Sequence, residues 1–129
     1  MDLTSTHLRY LLAMYGLSKS KREMRLTEIA NVLHVKKASA ARIITVFREK
    51  QLADQELYGK VRLTEQGQQL AAQYERCIQL LAQWLTQGSL LLDEQEAYDA
   101  ACVLLPELPE RCIHRIRDQA YLTEKVVDN

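Results

Sequence analysis

Apolar residues recur along the chain with two different periods, and the changes of period divide it into elements. Leu8, Leu11, Leu12 and Tyr15 have the spacing of one helix face. With Ser5 or Thr6 as cap, they predict a helix over 5–17, closed by Gly16 and the SKSKRE stretch. Ile29, Ala30 and Leu33 predict a short second helix over 27–34, capped by Thr27. His34-Val35-Lys36-Lys37 is a tight turn into a third helix, 38–50, which turns Ala40, Ile43, Ile44 and Phe47 inward. Two helices so closely coupled suggest a helix-turn-helix, whose second helix offers its outer face to DNA.

Beyond Leu52 the period falls to two. Leu57, Val61 and Leu63 alternate with polar residues, and Tyr58-Gly59 supplies a turn, so a two-stranded hairpin is predicted. A hairpin directly after a recognition helix is the wing of a winged helix. Thr64 then caps a long helix, about 65–86, with Leu70, Tyr74, Cys77, Ile78, Leu81, Trp84 and Leu85 on its apolar side and Gly88 at its end. Asp93 and Glu96 form a capping-box pattern for a helix from about 94 to 105. Pro106 breaks that helix, and Pro109 can start the last one, about 110–121. The expected architecture is mostly α: a winged helix-turn-helix with a small two-stranded β-wing, followed by a C-terminal helical module. The expected division is a winged-helix DNA-binding domain over 1–64, a long linking helix and helical module over 65–122, and a flexible tail over 123–129.

Composition adds boundaries. At 129 residues, 47% hydrophobic and 26% charged, the chain can bury a core without disulfides or a structural metal. The N-terminus lacks the basic start of a signal peptide, and no apolar run is long enough to cross a membrane, so a cytoplasmic protein is expected. Cys77, Cys102 and Cys112 are an odd count without regular spacing, which fits reduced thiols. There is no Gly-rich phosphate loop, no GxSxG and no HExxH, so no enzymatic reading is favoured.

Net charge is zero, but it is unevenly distributed. Residues 1–62 hold 12 Lys/Arg against 6 Asp/Glu, whereas 63–129 hold 5 against 11. A basic half joined to an acidic half suggests that one end meets a polyanion. With Ala40, Ile43, Ile44 and Phe47 inward, the third helix turns Ser39, Arg42 and Thr45 outward, with Lys36 and Lys37 at its entrance. Arginine reads guanine edges with paired hydrogen bonds, while Lys, Ser and Thr hold phosphates. In the wing, Lys60 and Arg62 share one strand face and Tyr58 sits near the tip. These eight residues are the candidate contacts to double-stranded DNA.

The order helix, LTEIANVLHVKKASAARIITVFREKQL, wing, LTEQGQQLAAQYERC, long helix and DEQEAYDAACVLLPELPERCIHRI resembles one family. It is that of the diphtheria-toxin repressor and the manganese-transport regulators, metal-dependent winged-helix repressors. The resemblance runs from about residue 5 to 120 and implies a homodimer on a palindromic operator, with 65–122 as the C-terminal helical dimerisation module, in a short form without the SH3-like domain of longer members. It also implies a divalent metal held mostly by carboxylates and histidines. Carried over one at a time, the ligand positions fall on Arg9 and Leu12, on Ile78 and Ala82, and on Tyr98, Cys102, Leu105 and Pro106. Only Cys102 matches a ligand of the family, so activation by manganese or iron is not expected; Leu12, Ile78 and Leu105 read as an apolar plug. Cys77, Cys102 and Cys112 could instead act as a thiol sensor. Two alternatives stay open: a winged helix that docks other proteins, and a winged-helix regulator that answers an organic ligand or thiol oxidation. The effector is not legible in the sequence.

Overall fold

The structure is a computed structural model and describes residues 3–57, 59–88 and 90–128, with side chains through Thr123. Among the described residues, six helices and three short strands follow in the order α1 (Ser5–Ser18), β1 (Met24–Arg25), α2 (Leu26–Leu33), α3 (Lys37–Glu49), β2 (Ala53–Gln55), β3 (Lys60–Leu63), α4 (Glu65–Thr86), α5 (Glu94–Glu107) and α6 (Glu110–Asp128). They form two compact units, one of Arg9–Ala72 and one of Met1–Leu8 with Gln73–Asn129. No helix among the described residues is long and apolar enough to cross a membrane.

The first unit is a winged helix. Its helix-turn-helix pairs α2 with α3. The turn between them is set by backbone hydrogen bonds at the end of α2: the Val35 N–H donates to the Ala30 carbonyl at 3.0 Å and the His34 N–H to Asn31 at 3.3 Å. This is a Schellman motif, and it holds His34 in the left-handed region at φ 56°. The same motif closes α3, with Leu52 donating to Phe47 at 2.8 Å, Gln51 to Arg48 at 3.0 Å, and Gln51 at φ 62°. Ala40, Ile44 and Phe47 are buried as expected, and Ile43 is half-buried.

The wing pairs β2 and β3 antiparallel, with Ala53 opposite Leu63, Asp54 opposite Arg62 and Gln55 opposite Val61. A third strand, absent from the sequence reading, adds to its other side: Met24 lies opposite Val61 and Arg25 opposite Lys60, giving the order β1-β3-β2. Two residues are too few to show a period, which is why this strand left no sequence signal. Met24, Val61 and Leu63 are buried while Arg25 and Lys60 are exposed, the alternation of a sheet with one wet face. Leu57 does not share that alternation: it lies outside the strands and is fully exposed. The α2 cap also differs from expectation. Arg25, not Thr27, is the capping residue, and its N–H donates to the Glu28 carboxylate at 3.0 Å, because the strand delivers the chain one turn position earlier.

The end of the wing is fastened to the end of α3. Thr64 donates its hydroxyl to the Gln51 carbonyl at 2.7 Å, its N–H donates to Leu52 at 3.0 Å, and its oxygen accepts from the Gly67 N–H at 3.0 Å. A Cβ built on Gly67 would lie 2.0 Å from the Leu52 carbonyl oxygen, so only glycine allows this approach. The physical content of the LTxxG pattern is therefore a buried strand residue, a cap that bridges two helix ends, and a contact too close for a side chain.

The second unit is helical. Its buried positions include Cys77, Ile78, Leu81, Ala97, Ala101, Cys102, Leu105, Ile113 and Ile116. The predicted box at α5 forms: the Glu96 N–H donates to Asp93 at 2.7 Å and the Asp93 N–H to Glu96 at 3.1 Å. Pro106 does not break α5, which runs on to Glu107. Its ring forgoes only the bond to the Cys102 carbonyl, and the helix stops one residue later. Helix α6 likewise continues to Asp128, past the end expected near 121. Trp84 is 46% exposed rather than part of the core.

Candidate nucleic-acid interface

Within the winged unit, α3 presents Lys37, Arg42 and Thr45 to solvent, with Lys36 exposed at its N-cap and Ser39 half-buried. No side chain caps this helix start. Its first N–H groups therefore remain available to an anion beside two lysines, which suits a phosphate. Arg42 lies near Tyr10 of α1. Burial pushes the Tyr10 phenol above its ordinary pKa, and the Arg42 guanidinium pulls against that shift. The Thr45 hydroxyl donates to the Ala41 carbonyl one turn back at 3.1 Å. Its proton is thus engaged, and the oxygen faces outward as an acceptor, which fits a base amino group better than a phosphate oxygen.

The wing supplies a second cationic face. Lys60 is exposed and Arg62 half-buried on the same side of β3, with Val61 and Leu63 turned inward. Each sits beside one acid: Lys60 Nζ is 3.9 Å from Glu23 and Arg62 Nε is 3.8 Å from Asp54 across the strand pair. Exposed pairs this long are worth little in water and can exchange for phosphate. Tyr58 lies outside the described residues. Two further cations join this surface without having been singled out by pattern. Arg25 is exposed opposite Lys60. Arg48 is exposed three residues beyond Thr45; the helical spacing from Arg42 and Thr45 could have found it, whereas nothing local marks Arg25. The unit as a whole carries 12 Lys/Arg against 6 Asp/Glu.

The positions that the family resemblance assigns to a metal are chemically unsuited to one. Arg9 is exposed; Leu12, Ile78, Ala82, Cys102 and Leu105 are buried; Tyr98, whose hydroxyl donates to Glu75, is half-buried, as is Pro106 in the last turn of α5. A guanidinium and hydrocarbons offer no lone pair, and a single thiol does not make a site for a hard ion such as Mn²⁺. Among the described residues, no three His, Cys, Asp or Glu side chains are grouped so as to hold a metal ion. No disulfide joins the three cysteines: Cys77 and Cys102 are buried and Cys112 is exposed. Burial pushes the Cys77 thiol up, against the pull of Arg117 and Arg76, which disfavours its reactive thiolate.

No protein-family model matches the chain, and no curated protein does. Solved structures do. The manganese regulator SloR superposes with a TM-score of 0.72 at 21% identity, over 92% of this chain and 54% of its own. The metal-dependent transcriptional regulator MtsR gives 0.71 at 20% identity, over 98% and 55%. The hypothetical protein SSo2273 from Sulfolobus solfataricus gives 0.67 at 20% identity, over 95% and 91%. The chain thus has the fold of these proteins and spans about half the length of the two regulators.

Proposed function

We propose that this protein is a cytoplasmic DNA-binding transcriptional regulator, a repressor that grips a palindromic operator as a homodimer. The observation that carries the reading is a winged helix whose α3 face and wing face are both cationic, at the two places where this fold meets a duplex. Names such as manganese regulator and metal-dependent transcriptional regulator among proteins of the same fold support it. In this reading Lys36 and Lys37 hold phosphates at the entrance of α3, while Ser39, Arg42 and Thr45 face the major groove. Lys60 and Arg62, with Tyr58, follow the backbone or the minor groove. Dimer symmetry sets the two α3 helices in successive major grooves, roughly 34 Å apart. Val103, Leu104, Tyr121 and Leu122, all exposed on the last two helices, support a subunit contact there. The donor chemistry of Arg9, Leu12, Ile78, Cys102, Leu105 and Pro106 supports a regulator that needs neither manganese nor iron.

The test is fluorescence anisotropy with a labelled duplex from upstream of the protein's own coding region, against a scrambled duplex, in EDTA, in Mn²⁺ and in Zn²⁺. Selective binding in EDTA, weakening steeply with salt, is expected. Arg42→Ala should cost about 1–3 kcal/mol and relax preference at one base pair. Unchanged affinity and selectivity in that variant would remove Arg42 from the groove. Selective binding only with metal would overturn the metal-independent reading.

A further inference from the structure

The helical unit contains a groove of about 580 Å³ between α4, the first turns of α5, and α6. That is the volume of a small-molecule site. Its floor is hydrocarbon, from Leu80, Ala82 and Ala120. One wall is a hydrogen-bonded carboxylate: Glu75 accepts from the Tyr98 hydroxyl at 3.0 Å on one oxygen and from the Gln79 amide at 2.9 Å on the other. Glu75 is half-buried, so these two donors fix its position where water screens it less than on an open surface. Each carboxylate oxygen keeps a further lone pair for a ligand.

The charge around the groove has one dominant sign. Among the described residues, Glu75 and Glu94 line it against one lining cation, Arg76. The unit that holds it carries 11 Asp/Glu against 5 Lys/Arg, a field that concentrates cations. The Tyr98 ring adds a π-face, which also attracts a cation. We infer that this groove binds a small organic cation, an ammonium group on an apolar body, with the ammonium against Glu75 and Tyr98 and the body on Leu80, Ala82 and Ala120. An anion would meet the fixed carboxylate, and a neutral body of the same shape would gain only the floor. The inference concerns binding alone and holds whether or not the winged unit reads DNA.

The probes are 2-phenylethylammonium, its neutral analogue 2-phenylethanol and its anionic analogue phenylacetate. Each is titrated into the full-length ¹⁵N-labelled protein at neutral pH while the backbone amide signals are followed. The ammonium should give saturable shifts at Leu80, Ala82 and Ala120, with 2-phenylethanol about tenfold weaker and phenylacetate weaker still. Glu75→Gln keeps an acceptor for Tyr98 and removes the charge. It should weaken the ammonium about tenfold and leave 2-phenylethanol unchanged, a split that a merely structural role for Glu75 would not produce. Three results would each overturn the inference. One is phenylacetate binding as well as the ammonium. Another is equal ammonium affinity in Glu75→Gln. The third is groove signals that move with protein concentration but not with amine, which would mean that a second copy of the chain covers the groove.

Discussion

Gly67→Ala sets two physical rules against each other. Replacing glycine by alanine inside a helix ordinarily stabilises it by up to about 1 kcal/mol, through lower backbone entropy in the unfolded chain. At position 67 the new Cβ would lie 2.0 Å from the Leu52 carbonyl oxygen. That atom is main chain and cannot rotate aside. Leu52 is held from behind by its N–H on Phe47 at 2.8 Å and from the front by the Thr64 N–H at 3.0 Å. To reach ordinary contact the start of α4 must withdraw by more than about 1 Å, the scale on which packed groups lose most of their attraction. The bonds first lost are those of Thr64 to Leu52 and to Gln51. Two hydrogen bonds at about 1 kcal/mol each and about 1–3 kcal/mol of overpacking outweigh the helix gain, leaving a net loss of roughly 2–4 kcal/mol.

Gly16→Ala is the matched control, because a Cβ there meets nothing within 4 Å and the residue lies inside α1. It should stabilise by about 0.5 kcal/mol. Urea unfolding followed by circular dichroism at equal slope compares the two variants directly. Opposite signs are expected from the same chemical change. A Gly67→Ala protein as stable as the parent would refute the argument, because it would mean that the join between α3 and α4 has slack.

Other consequences are more local. His34→Gly should stabilise by roughly 0.5 kcal/mol, since glycine adopts the left-handed conformation without the Cβ penalty while loosening the unfolded chain; thermal unfolding would register a rise of about 2 °C. Glu28 is held below the ordinary carboxylate range by the ammonium of Lys21, with which it is paired, and by the Arg25 N–H. A depressed acid contributes stability that is present above its unfolded pKa and lost as pH falls through its folded one. Glu28→Gln should therefore flatten the acid limb of the stability profile below the ordinary glutamate range, and an unchanged limb would count against the pairing. With a disulfide reagent the native protein should titrate Cys112 promptly and Cys77 and Cys102 only on unfolding; fast reaction of Cys77 would revive the thiol sensor.

The helices were legible because each buries one face at a constant period: Ala40, Ile44 and Phe47 in α3, Tyr74, Cys77, Ile78 and Leu81 in α4. The caps written in side chains, Thr64 and Asp93, were legible too. What escaped depends on partners distant in sequence. The strand β1 exists because Val61 and Lys60 offer it an edge, and with it go the cap at Arg25 and the cation opposite Lys60. His34 and Gln51 occupy positions where glycine is usual, so composition gave no hint of their turns. Trp84 carries the period of a core residue and is nevertheless nearly half exposed. The Glu75–Tyr98 bond spans 23 residues and had no local mark at all.

The distribution of charge and of hydrocarbon bears on how a regulator of the kind proposed above would be controlled. A metal-activated switch needs donors that lose protons to the ion or gain charge compensation from it. Leu12, Ile78 and Leu105 can do neither, and each is buried. Their burial contributes to stability continuously, at roughly 1.5–3 kcal/mol per side chain, so nothing at those positions is left for a metal to supply. Control by a bound effector then requires a site whose occupation changes the free energy of one state over another. Among the described residues, the groove beside Glu75 combines volume, a fixed charge and an apolar floor. The thiols do not: Cys77 and Cys102 are buried, and Cys112 stands exposed. Chemistry of the protein's own residues thus favours an organic effector over an inorganic ion, and the two differ in a simple test. Operator affinity that falls or rises with 2-phenylethylammonium in EDTA, and loses that response in Glu75→Gln, would link the groove to operator binding. An affinity indifferent to the amine but restored by Mn²⁺ after chelation would return control to a metal site built from other residues.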